Sequence, residues 1–348
     1  MVGRSGEDAV KSRDPSEFPG PPPKAGHHGV FLIATPRAAI CCEAARSQPP
    51  AHDPPAHDAY TRLLQRIEPD PATLYREVEP LVEKADGVLV LDDSTLDKLY
   101  SKAIEPVDRH WSGKHESVVR GINLISLAWT DGDRILPTDY RVYDRPKDGP
   151  TKNDHFLARL DAAKHRGFRP HAVLFDGWYS GLENLKRVRD HGWTFLTQLK
   201  VNRLVDLNRG GYRAIGVLPI DAGGTIVHLK GFGPIRVFKA VSRDGDVEYR
   251  ATNDLAMDEL RRLELAERCW SIEEYHRALK PCCDVERCQA RSSRAQRNHI
   301  GMAIRAFLRL SWHFYTTGNS WYEAKTGIVR EAIRAYRSRP LYRLAPTA

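Results

Sequence analysis

The run Gly87-Val-Leu-Val-Leu-Asp92-Asp93 limits the fold more than any other stretch of the chain. An unbroken apolar segment of this length reads as a strand buried on both faces, at the centre of a sheet covered by helices. It ends in two carboxylates. Charge at the end of a buried strand is costly unless it is paired or binds a metal. The pattern recurs at His171-Ala-Val-Leu-Phe-Asp176, followed by Gly177. Two such strands predict an α/β chain. Their acids either cap the strands where these meet water or share a site, and each motif read alone admits both.

The remaining elements follow from period and punctuation. Val118–Trp129, a hairpin turn at Asp131-Gly-Asp, and Arg134–Tyr143 complete an antiparallel three-strand meander with the first strand. Lys152–His165 reads as an amphipathic helix ended by Gly167, and Leu182–Arg189 as a second one closed by His191-Gly192. Trp193–Lys200 is a fifth strand. The order is three strands, helix, strand, helix, strand. From Val201 to Asn253 the pattern is all strand and turn, a β-rich insertion.

The expected organisation has six parts. Residues 1–55, with Pro19-Gly-Pro-Pro-Pro and Pro49-Pro-Ala-His-Asp-Pro-Pro, read as a poorly structured N-terminal segment. Residues 56–86 hold short helices from near Ala59 and Pro71, either a small DNA-binding head or packing elements. Residues 87–200 form the first part of the core, 201–255 the insertion, 256–317 the closing helices, and 318–348 a C-terminal tail.

Trp270-Ser-Ile-Glu273-Glu-Tyr-His-Arg277-Ala-Leu-Lys280 has the composition of a helix, with Pro281 closing it. Glu273, Arg277 and Lys280 share one face, and Ile272, His276 and Leu279 form an adjacent strip able to pack inward. A carboxylate below an Arg and a Lys suits a metal ion held beside a phosphate. Glu–Arg pairs at this spacing are also common on solvated helices. Arg109-His110-Trp111-Ser-Gly-Lys114-His115 mixes cations and rings, which suits phosphate contact and base stacking, or a solvated loop around a packed Trp. A last long helix from Ser293 carries Ile300, Ile304, Phe307 and Leu308 on one side. Its other side, with Arg294, Arg297, Arg305 and Arg309, is either solvated or a DNA-contacting face.

The net charge of +8 fits a polyanionic partner such as nucleic acid. The six cysteines form no Cys-x-x-Cys pair, so reduced thiols are expected, although Cys269, Cys282, Cys283 and Cys288 with His276 offer a poorly spaced zinc set. Gly29-Val-Phe-Leu-Ile-Ala is too short to span a bilayer, and no secretory h-region is evident. The expectation is a soluble cytoplasmic protein acting at the nucleoid, with no membrane partner.

Val90-Leu-Asp92-Asp93-Ser-Thr-Leu-Asp-Lys, Phe175-Asp176-Gly-Trp-Tyr and Trp270–Lys280, taken in this order on this strand and helix pattern, resemble bacterial insertion-sequence transposases of the DDE class. The resemblance spans roughly residues 56–315. It implies an RNase H-like core, a mixed five-stranded sheet flanked by helices, with a β-rich insertion before the last acidic residue. It implies Asp92, Asp176 and Glu273 as a metal-binding triad for Mg²⁺ or Mn²⁺, two ions in all, with Asp93 and Glu274 as the fallbacks. Lys280 would be the lysine of the Tyr–Arg–Glu–Lys signature. The implied activity is phosphodiester hydrolysis and strand transfer. The implied partners are the element's terminal inverted repeats and target DNA, bound by a homodimer or larger assembly. Arg109, His110, Trp111, Lys114, His115, Arg268, Arg277 and Lys280 would contact DNA.

The chain departs from the signature where its Tyr and Arg fall on Ala266 and Cys269. Arg268 or Arg277 is the nearest substitute for the arginine. Two rival readings stay open: a transposase-derived DNA-binding protein without activity, and an RNase H-like nuclease without strand transfer.

Overall fold

The computed structural model of the chain describes residues 25–35, 41–48, 54–113, 115–241 and 245–339. The first helices are α1 (Ala25–Ala34), α2 (Cys41–Arg46), α3 (His57–Arg66) and α4 (Ala72–Val78). Next come β1 (Val88–Asp97), β2 (Asp108–Ser112), β3 (Ser117–Thr130) and β4 (Ile135–Tyr143). A short α5 (Arg145–Asp148) leads to α6 (Lys152–His165), β5 (Ala172–Phe175), α7 (Leu182–Asp190) and β6 (Phe195–Leu199). The insertion supplies β7 (Leu204–Asp206), β8 (Tyr212–Ala214), β9 (Thr225–Leu229), β10 (Gly233–Val241) and β11 (Val247–Thr252). Three helices close the chain: α8 (Glu259–Cys283), α9 (Ser293–Thr317) and α10 (Trp321–Ser338).

The five expected core strands run β4-β3-β1-β5-β6, with β1 antiparallel to β3 and parallel to β5, and β5 parallel to β6. This mixed sheet flanked by helices is RNase H-like. Val88 to Leu91 are fully buried, as are Ala172 to Phe175, which is why their apolar runs are unbroken. The insertion is not a separate sheet. β11 pairs with β6 (Tyr249↔Leu199), and β10, β9, β7 and β8 continue outward, so one sheet of eleven strands results.

Strand alternation divides the faces. Phe156 on α6 packs edge-on against Phe175, while His276 on α8 reaches Ser126 on β3. Thus α6 and α7 cover one face, and α8 and α9 the other. Asp139 on β4, almost wholly buried, ties α6 to the sheet through Arg159 at 3.3 Å and Arg166 at 3.0 Å, with Arg141 at 2.6 Å. A buried carboxylate with three guanidiniums is the paired arrangement that makes such burial tolerable.

Four features differ from the sequence reading. Arg109–Ser112 is not a loop but part of edge strand β2, paired with β3 through His110↔Val119. Pro281 lies inside α8, which runs two residues further and stops where Asp284 turns to φ 52°. Lys325 on α10 donates to the Pro281 and Cys282 carbonyls at 3.0 and 3.1 Å, satisfying acceptors that the helix end leaves open. Within the stretch 1–55, α1 and α2 are helical, with Leu32 and Ala44 buried. The arginines of α9 are engaged: Arg294 pairs with Glu68, Arg297 with Asp144 and Asp148, and Arg305 and Arg309 with Glu77. No helix among the described residues is long and apolar enough to cross a membrane.

Candidate active site

Leu91 on β1 pairs with Phe175 on β5 in parallel register. The next residue after each is an aspartate, so the register carries Asp92 and Asp176 to the same level, where β5 ends; β1 itself does not end there, as the apolar run suggested, but continues to Asp97. α8 packs across β1 and β5 and brings Glu273 near enough for its charge to act on Asp92. Ile272, His276 and Leu279 supply its inward strip. His276 lies over the Asp92↔Ser126 strand pair, with Nε2 3.2 Å from Ser126 Oγ and Nδ1 3.8 Å from Asp92 Oδ2. Burial pushes His276 down to about 3, so at neutral pH the ring is uncharged.

Asp92 senses both other acids. Burial, then the charges of Asp93, Asp176 and Glu273, push the Asp92 carboxyl well above the usual carboxylate range. The protein packed around Asp176, then the Asp93 charge, pushes it up to about 6, against two backbone N–H bonds from Trp178 and Tyr179 to its carboxylate. Glu273 is raised by desolvation while Arg277 pulls it down. A buried carboxylate raised by neighbouring negative charge, as Asp92 is, is one that a divalent cation would relieve. They are not gathered on one point: among the described residues no three His, Cys, Asp or Glu side chains form a closed ligand set.

Asp93 differs from its neighbour. It faces α6 and accepts from Asn123 Nδ2 at 2.6 Å, Tyr179 Oη at 2.7 Å and Lys152 Nζ at 2.8 Å. Burial opposes its ionisation, but Lys152 and the other donors prevail and hold its carboxyl below the usual range. Its oxygens are committed within the fold. Among the described residues Asp92 has no comparable side-chain donors, and of the two it is the acid available to a ligand.

The expected DNA-contacting residues do not share one environment. Trp111 is 65% exposed on β2, and its carbonyl accepts from Thr95 Oγ1 three residues past Asp92. Arg109 and the buried His110 line an open cavity of about 530 Å³ with Tyr143 and Arg145. His115 Nε2 lies 2.9 Å from Asp97 Oδ2. Lys114 falls outside the described residues. Arg277 is exposed, its guanidinium 5.8 Å over the Trp270 ring. Lys280 is turned inward, donating to the Thr95 carbonyl at 3.0 Å and pairing with Glu286 at 3.0 Å. Arg268 points toward the β3–β4 turn at Gly132 and toward Asp86, at the other end of β1. Ala266 and Cys269 both lie on α8. All six cysteines are free, and the zinc set does not assemble.

Residues 57–208 match the family model described as DDE superfamily endonuclease. The match covers less than half of the chain and supports a DDE-type endonuclease reading of that stretch. It includes Asp92 and Asp176 and ends before Glu273. No curated protein matches the chain. Among solved structures, the chain is similar to a piggyBac transposase synaptic complex with hairpin DNA, at 11% identity over 93% of this chain and 77% of that one, TM-score 0.48. It is also similar to the Drosophila P element transposase strand transfer complex, at 10% identity over 91% of this chain and 87% of that one, TM-score 0.28.

Sequence reasoning passed over Lys152, Asn123 and Tyr179 as the partners of Asp93. Their sequence separations, 59, 30 and 86 residues, hide them. Tyr179 did stand in the Phe175–Tyr179 motif, where a Tyr three residues past a candidate acid was a usable signal.

Proposed function

We propose that this chain is a DNA transposase of the DDE type. It would hydrolyse phosphodiesters at the inverted-repeat ends of its own insertion sequence and join the freed 3′-OH to target DNA, as a homodimer on DNA. The observation that carries the reading is the parallel register that sets Asp92 beside Asp176, with Glu273 brought to them by α8.

In this reading Asp92, Asp176 and Glu273 would hold Mg²⁺ or Mn²⁺, which when bound would supply Lewis-acid activation of the attacking oxygen and stabilisation of the leaving one. Asp93 stays ionised on Lys152 and ties β1 to α6. Neutral His276 fills the space behind Asp92 without adding a competing cation. Arg277, exposed one turn beyond Glu273, takes a DNA phosphate oxygen, and the Arg109–His115 segment follows the strand outward. Lys280 positions β1 through Thr95.

The inward turn of Lys280 also favours a second reading, a transposase-derived protein that binds DNA without cutting it. One experiment separates the two. Purified protein is incubated with a plasmid carrying the DNA that flanks its gene, with and without Mg²⁺, beside Asp176→Asn. Metal-dependent cuts at the ends, absent in the variant, support the transposase. Binding without cuts selects the second reading, and cuts unrelated to the ends select a plain nuclease.

A further inference from the structure

Trp178 is 59% exposed, on the turn that carries Asp176. Nothing about the turn is loose. The Trp178 backbone N–H donates to Asp176 Oδ1 at 3.1 Å, and Ser180 Oγ donates to the Gly177 carbonyl at 2.7 Å. Tyr179 is fully buried, stacked on Phe156 with centroids 5.2 Å apart. A Cβ on Gly177 would come 3.2 Å from the Gln198 carbonyl, so the turn packs closely on β6. A large ring held in water on so rigid a support gives up the burial that would ordinarily stabilise it.

Two ammonium groups flank this ring, Lys152 Nζ and Lys200 Nζ, each 5.7 Å from its centroid. Lys152 opens α6 and Lys200 follows β6, so both stand at the same sheet end as Asp92 and Asp176. An exposed indole with ammonium groups close by, near the acidic residues, matches the two needs of a single-stranded nucleotide, a surface to stack on and a charge for its phosphate.

We propose that Trp178 is a stacking platform for an unpaired DNA base at the mouth of the acidic cleft, with Lys200 holding the adjoining phosphate. The proposal rests on the DNA-cutting reading above for its ligand class. It assigns a task to residues outside the acidic triad. A base unpaired next to the scissile phosphate stacks on the indole, and the backbone beside it is thereby aimed at Asp176.

Base stacking is tolerant of sequence, so the test does not need the element's own ends. A labelled oligo(dT) strand of about 20 nucleotides, and a duplex of equal length, are titrated in EDTA with wild type, Trp178→Ala, Trp178→Phe and Lys200→Ala. A second oligo(dT) carries one 2-aminopurine, whose fluorescence falls on stacking. Trp178→Ala should bind the single strand about 5- to 150-fold more weakly and fail to quench. Trp178→Phe should keep most of the affinity and the quench. Lys200→Ala should weaken the single strand about 3- to 10-fold with the quench retained. Duplex affinity should change by less than about twofold in the Trp variants. Equal single-strand binding by wild type and Trp178→Ala overturns the proposal. So does an equal loss on strand and duplex, or no single-strand binding by wild type. Plasmid cutting in Mg²⁺ is scored separately. Selective loss of single-strand binding in a protein that cuts nothing keeps the platform and removes the endonuclease reading. Cutting by wild type with no Trp178 effect does the reverse.

Discussion

Lys152 Nζ lies 2.8 Å from Asp93 Oδ2, and both side chains are at least four-fifths buried. The pair crosses from α6 to the middle of β1, one residue from Asp92. Two adjacent acids therefore have opposite roles, and substitution should separate them. Asp93→Asn leaves Lys152 charged and without its partner, which should cost about 3–5 kcal/mol of stability. Asp92→Asn removes a carboxylate that its neighbours repel, so stability should hold or rise while metal-dependent cutting is lost. Urea unfolding and the plasmid assay on both variants check this. A destabilised Asp92→Asn beside a stable, inactive Asp93→Asn would reverse the assignment.

The repulsion at Asp92 also predicts how the protein responds to metal. A divalent ion that binds the folded protein alone stabilises it by RT ln(1 + [L]/Kd), about 2.7 kcal/mol at a hundredfold excess over Kd. Thermal melts in Mg²⁺ or Mn²⁺ should show a rise in Tm that EDTA reverses. The rise should shrink sharply in Asp92→Asn and in Asp176→Asn. An equal rise in all three proteins would show that the ion binds elsewhere.

The sheet centre was legible because burial on both faces leaves an unbroken apolar run, and only β1 and β5 carry one that ends in acid. Helix α6 was legible to its exact ends because Thr151 and Asp154 form a capping box and Gly167 follows. Strand β2 was not. It alternates exposed Arg109 and Trp111 with inward His110 and Ser112, so its period is written in polar residues and resembles a loop. The arginines of α9 left a choice between a solvated and a DNA-contacting face, because Glu77 on α4, which pairs with Arg305 and Arg309, is more than 200 residues away. The candidate triad was legible as three acids. That Asp92 rather than Asp93 is left available followed only from Lys152, Asn123 and Tyr179, which no spacing rule connects.

His299 on α9 is fully buried, with Nε2 3.1 Å from the Asp284 carbonyl, and burial lowers it to about 3, with His28 and Lys98 acting in the same direction. Above the unfolded value of 6.5 neither state binds the proton, and its full contribution to stability is present. Below 6.5 only the unfolded chain binds it, so stability falls by about 1.4 kcal/mol per pH unit until the folded ring titrates near 3. Asp176, raised to about 6, works the other way between 6 and its unfolded value, so the total curve mixes signs. Comparison with His299→Gln isolates the histidine. From pH 7 to pH 5 wild type should lose about 2 kcal/mol more than the variant. Parallel curves would place the proton elsewhere.

Gly301 is the point where α9 meets the sheet. A Cβ there would come 2.2 Å from Tyr140 Oη and 3.2 Å from Tyr140 Cζ, and Tyr140 is itself buried on β4. The contact is with the tip of a buried ring, so Gly301→Ala must displace either that ring or α9, which packs on α8. Overpacking of this kind costs about 1–3 kcal/mol, against roughly 1 kcal/mol that Ala returns through helix propensity. Tyr140→Phe removes the hydroxyl that makes the closest approach. The double variant should therefore recover most of what Gly301→Ala loses, and a double-mutant cycle by urea unfolding should give a coupling of about 1 kcal/mol or more. Because α8 rides on α9, Gly301→Ala should also weaken cutting through misplacement of Glu273, with Tyr140→Phe restoring both together. Stability restored without activity would mean that α8 holds its position independently of this contact.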